Sequence, residues 1–384
     1  DALPIFMTAN LDDSITYDVT VIDEYKTVDE GETITIDTSE AVVTANIDLG
    51  GGTNTIFAKG ADGSLRFTDN VTASSGGSGT QNAIANITAE DGVSLHFDGD
   101  LTVEATSNNN NTKSTITANG ADINISHLIT NSALNNDVDV IANTSNPIDD
   151  NGNIVFLSSN INITDITANQ DELNIIADGR VLDGEDNTVA VSTISIDGTT
   201  ELNTGNNALN LSTLNGGIVN LSGSVVTNGN RKNVSAVSDG NNSTINISNY
   251  TVPNTVEVEL TAKNGGTVNI NTDTYISHLT ANIQGADSNM NFNIPLITDI
   301  FQVTAYNNSD INFKHNVDVT DSLTFTNTDP NPLHFNINIA SEDESPVIVN
   351  VANNIEFDDN SVTVNISGNA NEINANAIDF KDGE

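Results

Sequence analysis

The chain has 384 residues with no Cys, no Trp, 12 Phe and 5 Tyr, which excludes a thick globular core built on aromatic area. It carries 10 Lys and Arg against 53 Asp and Glu, a formal net charge of −43. That balance excludes nucleic-acid binding, which needs clustered cations to displace counterions, and it repels anionic membranes.

Residues 1–40 stand apart. They hold Pro4, Tyr17, Tyr25 and the acidic run Asp29-Glu30-Gly31-Glu32. The expectation is a connecting segment or irregular first rungs, with one solenoid over residues 41–384. Asp1 opens the chain with no initiator Met and no signal peptide, which reads as a mature or excised segment of something longer. The lack of cysteine suits a reducing compartment or a bacterial surface that avoids disulfides. No apolar run reaches the roughly 18 residues of a membrane-spanning helix.

From residue 41 onward a signature recurs: an aliphatic residue, Thr-Ala, a polar turn, then aliphatic-Asn-aliphatic. Val43-Thr-Ala is a weak first copy, and Ile87-Thr-Ala leads to Leu95-His-Phe97. Ile116-Thr-Ala leads to Ile123-Asn-Ile125, and Ile166-Thr-Ala to Leu173-Asn-Ile175. Leu260-Thr-Ala, Leu279-Thr-Ala and Val303-Thr-Ala continue the series. With degenerate copies at Ile141, Val234 and Leu323 included, neighbouring anchors from Ile87 to Ile166 and from Val234 to Leu323 stand 19 to 29 residues apart, Leu260 to Leu279 at the short end and Ile87 to Ile116 at the long end.

Alternation sends the aliphatic residues to one face of an extended strand and the polar ones to the other. Ile, Val and Thr favour that backbone. Gly, Asn and Asp between the runs tolerate left-handed angles and make corners. One such turn cannot bury its apolar face, but stacked turns bury every face. The predicted fold is therefore all-β: a parallel β-helix, or β-solenoid, with irregular turns. The Asn of aliphatic-Asn-aliphatic either faces solvent or forms ladders between turns. Long links such as 75–81 and 107–113 map to protruding loops.

Candidate chemistry is sparse. His96 and His334 occupy the slot that Asn fills elsewhere, and His127 and His278 sit in two copies of Ile-Ser-His-Leu. Such scatter over repeat positions argues against a Ser-His-Asp triad or a zinc site. Polysaccharide-active β-helices need carboxylate pairs, or calcium with a basic residue, and the aromatic platforms that stack sugars are nearly absent here. No enzymatic role is expected. Calcium is the more plausible ligand. Asp149, Asp150 and Asn151, then Asp183, Glu185 and Asp186, then Asp358 and Asp359 offer hard oxygen ligands in turns. None of the three clusters has the spacing of an EF-hand loop.

The aliphatic-Thr-Ala and aliphatic-Asn-aliphatic repeats, without Cys and with few aromatics, resemble the repetitive β-helical regions of bacterial surface proteins. S-layer proteins secreted by the type I route and autotransporter adhesin passengers are the two groups that the chain resembles. The resemblance covers about residues 41–380. It implies an extracellular, surface-bound structural protein, assembling into a lattice or stalk-like filament and stabilised by Ca²⁺. The alternative it implies is an adhesin that binds a cell-surface glycan or receptor.

Overall fold

A computed structural model describes residues 8–9, 14–17, 21–22, 26–28, 33–36, 40–43, 47–49, 52–59, 63–74, 83–106, 112–132, 136–148, 152–169, 172–182, 188–203, 208–227, 232–248, 256–271, 274–306, 309–327, 335–340, 346–358, 362–366 and 371–381. The described chain is all-β and winds as a parallel β-solenoid. It packs as two compact units, residues 1–209 and residues 210–384.

In the N-terminal unit each rung gives a strand to each of two sheets. Ile56, Ile87, Ile116, Val140 and Ile175 lie one above another in the first sheet. Leu65, Leu95, Ile123, Ile161 and Ile194 do the same in the second. The described segments before residue 40 take part: Ile15 pairs with Ile34, and Ile34 with Ile56, in parallel register. The C-terminal unit repeats the plan. Val258, Leu279, Phe301, Leu323, Ile355 and Ile378 form one column. Val219, Ile245, Val268, Met290, Ile311 and Ile337 form the other.

Burial follows sequence alternation. Along Ala83–Glu90 every second residue is buried. The core is Ile, Val, Leu and Ala, with phenylalanines stacked from one rung to the next. Phe67 lies parallel to Phe97 with ring centroids 5.1 Å apart. Phe292 and Phe313 stack at 5.4 Å, and Phe301 meets each of them edge-on.

The Thr-Ala anchors do not share one register. Ile87-Thr88-Ala89 does lie on Ile116-Thr117-Ala118. Ile166-Thr167-Ala168 instead belongs to the other sheet, where Ile166 pairs with Leu128. In the C-terminal unit Leu260 pairs with Ala281 and Ala281 with Val303, a slip of two residues at each step. An even slip keeps every side chain on its own face, so the core tolerates it. Rung lengths read from the register run from 19 residues, Ile15 to Ile34, to 38, Asn124 to Asn162. Extra residues leave the rung as excursions and do not disturb the stacked strands.

Corners behave as the composition demands. Asn264 and Gly265 have φ of 53° and 86°, and Asn215 and Gly216 have 49° and 90°. Glycine and asparagine adopt these left-handed angles at low cost. Buried serines complete the corners. Ser243 Oγ accepts the Gly216 N–H of the rung below at 2.9 Å and donates to Asp239 O at 2.7 Å. Ser288 does the same for Gly265 and Gln284, and Ser159 for Gly120 and Asn143.

Candidate functional site

The outward polar slot of the aliphatic-polar-aliphatic strands is the first place for chemistry. In the C-terminal unit that slot is filled by Asn220, Asn246, Asn269, Asn291, Asn312 and Asn338 on successive rungs. Each amide Nδ2 donates to the Oδ1 of the asparagine one rung earlier, at 2.7–2.9 Å throughout. All five bonds point the same way, so the amide dipoles align and strengthen one another. In the N-terminal unit the same slot reads Arg66, His96, Asn124, Asn162 and Ser195. There Asn162 donates to Asn124 at 3.0 Å.

Strand bends are the second place. The N-terminal unit bends inside the second sheet, where the register shifts between Phe97 and Asp100. Three rungs meet there. His127 Nδ1 lies 2.9 Å from Asp100 Oδ1, and His127 Nε2 lies 2.9 Å from Thr167 Oγ1. This is the connectivity of a carboxylate–imidazole–hydroxyl relay. Its carboxylate and imidazole are 45% and 33% exposed, so water competes for every member. The C-terminal unit bends inside its first sheet, where the register shifts between Thr298 and Ile300. Tyr275 Oη and Thr320 Oγ1 each donate to Asp299 at 2.5 Å, and Ser277 Oγ donates to it at 3.2 Å. The Thr320 and Tyr275 hydroxyls hold the Asp299 carboxyl below its ordinary range. The bond to Asp299 in turn raises the Tyr275 phenol. A carboxylate so saturated with donors is a weak base.

Neither cluster is visible as a sequence motif, because its members come from different rungs. His96 lies in the polar slot between Arg66 and Asn124. His278 Nδ1 lies 3.1 Å from Ser277 Oγ. His334 lies outside the described residues.

Of the calcium candidates, Asp149, Asp150, Asn151, Asp183, Glu185, Asp186 and Asp359 also lie outside the described residues. Asp358 ends the strand Ile348–Asp358. Among the described residues no group of three or more His, Asp or Glu is placed to hold a metal. No described helix is long and apolar enough to cross a membrane.

Four asparagines of Asn-x-Ser/Thr sequences, Asn70, Asn86, Asn220 and Asn246, are engaged in the stack. Asn86 Oδ1 accepts from Thr115, Asn70 Oδ1 accepts the Asp100 N–H, and Asn220 and Asn246 belong to the ladder. A shallow groove of about 490 Å³ lies in the C-terminal unit, lined by Asp318, Asn350, Asn374, Thr320, Ala352 and Asn376 among others. Its own carboxylate and amides form a short ladder: Asn374 donates to Asn350, and Asn350 to Asp318.

No protein-family model matches the chain, and neither a curated protein nor a solved structure is found to be similar to it.

Proposed function

We propose that this chain is an extracellular structural component of a bacterial cell surface, of the S-layer or stalk type, and not an enzyme. The observation that carries the reading is the asparagine ladder from Asn220 to Asn338. A catalytic surface keeps polar groups free to meet a substrate. This one commits its outward amides to holding rung on rung.

The charge of −43 sets the conditions of assembly. Self-repulsion on this scale opposes both compact winding and association between copies. Divalent cations relieve it, so Ca²⁺ is proposed as the stabilising ion and acidic turns as its binding places. The test is electron microscopy and thermal unfolding of the chain in Ca²⁺ and again after EDTA. Ordered lattices or filaments that disperse on chelation, with a lowered Tm, support the reading. If EDTA leaves both assembly and Tm unchanged, the calcium-lattice role fails. Turnover of an acidic polysaccharide would overturn the non-enzymatic one.

A further inference from the structure

Two excursions leave the N-terminal unit at the same corner of consecutive rungs. Asn143 and Asp178 are register partners where the strands end, and Ser159 and Ser192 are register partners where the chain returns. In the first excursion, the described residues 144–148 and 152–158 run as a hairpin closed by antiparallel bridges from Ser145 to Leu157 and from Ile148 to Ile154. In the second, residues 179–191, Arg180 opposes Val191 and Val181 opposes Ala190 in an antiparallel ribbon. Their bases are tied together. The Val191 N–H donates to Ser158 Oγ at 3.2 Å, and the Thr144 N–H donates to Asp178 O at 3.4 Å. Gly179, at φ +105°, lets the two bases approach, since a Cβ there would stand 2.5 Å from Thr144 Oγ1.

The hairpins expose what the rest of the solenoid hides. Ile148 is 70% exposed, Ile154 61%, Phe156 44% and Val155 37%, and on the second ribbon Val189 is 43% and Leu182 40% exposed. These are six of the nine large apolar side chains exposed among the described residues. The core has no need of them, because its own columns are filled rung by rung. Concentrated exposed apolar surface of this kind marks an interaction site.

Charge selects the partner. Between residues 144 and 191 the sequence holds one basic residue, Arg180, against nine Asp and Glu. Unless a cation bridges the two, a second copy with its own −43 is repelled, as are nucleic acids and anionic lipid. We infer that the paired hairpins are a docking surface for a cationic polypeptide that also presents apolar side chains. This rests on the hairpins alone and holds whether or not the chain forms a lattice.

The test uses the full chain and three labelled synthetic peptides: alternating Leu and Lys, alternating Ser and Lys, and alternating Leu and Glu. Binding is followed by fluorescence anisotropy. The Leu-Lys peptide is expected to bind roughly tenfold more tightly than Ser-Lys, since apolar burial adds to charge attraction. A triple variant, I148S with F156S and L182S, is expected to erase that preference. Ile148→Ser alone should reduce it, which serves if the triple variant does not fold. The control I297S with I378S, two exposed apolar sites of the C-terminal unit, should leave it intact. The proposal is overturned if the hairpin variants keep the preference, or if Leu-Glu binds as well as Leu-Lys. It is overturned equally if sedimentation shows wild-type self-association that the hairpin variants abolish, for the occupant is then a second copy.

Discussion

The two units share a winding plan and fill the same outward slot differently. In the N-terminal unit it reads Arg66, His96, Asn124, Asn162, Ser195, while in the C-terminal unit Asn220 is followed by asparagine at every described rung to Asn338. Rung lengths differ with it: the amide-paired rungs are 21 to 26 residues long in the Asn ladder, whereas 38 separate Asn124 from Asn162. In the C-terminal unit the ladder adds an amide bond at each rung to what the core and backbone pairing supply. In the N-terminal unit the slot is mixed, its rungs are joined by pairs such as Lys113–Asp139 and by the shorter run Asn131–Asn169–Asn203, and it carries long excursions. Lys113 Nζ lies 3.0 Å from Asp139, whose side chain is 8% exposed, and this bond raises the lysine's pKa.

Four measurements break or sharpen that comparison. The largest effect belongs to the core. Phe97→Ala removes half of the isolated Phe67–Phe97 pair and is expected to cost about 3–5 kcal/mol in urea unfolding. In a solenoid the loss stays local, so hydrogen exchange should rise most in the adjoining rungs. Equal protection loss in distant rungs would show that the core is shared more widely than nearest neighbours.

Corner serines come next. Ser243→Ala leaves the buried Gly216 N–H and Asp239 C=O without their hydroxyl partner, an expected cost of about 1–3 kcal/mol. Ser159→Ala should cost at least as much, because Ser159 Oγ also accepts the Ala121 N–H at 3.3 Å and lies 3.1 Å from Ala118 O. A smaller cost at Ser159 would show that these added contacts contribute nothing to its corner.

The ladder itself should show a smaller, asymmetric effect. Asn269→Ala breaks two amide bonds and Asn162→Ala breaks the one to Asn124. Expected costs are about 1–2 kcal/mol for Asn269 and about half that for Asn162. Equal costs would refute the idea that each amide bond of the ladder adds its own stability.

The smallest effect is electrostatic. Asp299 should titrate by NMR below its ordinary 3.8, and Thr320→Val should move the midpoint up. A carboxylate depressed in the fold stabilises it above the unfolded pKa, and that stability is lost as pH falls through the folded value. The wild type should therefore lose this contribution only below about pH 4, and the variant should have less of it to lose. An unmoved midpoint would separate Asp299 from its hydroxyl donors.

Much of this protein was legible in the chain itself. Alternation in stretches such as Ala83–Glu90 dictates extended strands with one buried face, and the lack of aromatic area rules out a thick core. Gly and Asn between the runs dictate corners, because few other residues accept left-handed backbone. Register was not legible. Side-chain parity repeats every two residues, so slips such as Leu260 onto Ala281 leave the local pattern unchanged. The sequence also left the asparagines free to face water or to pair, and only the stacking of rungs about 4.8 Å apart brings amide to amide. The relay through His127, the hydroxyls on Asp299 and the paired hairpins after Asn143 and Asp178 depend on the same fact. Their members lie a whole rung apart along the chain, and they become neighbours only where the winding lays one turn on the next.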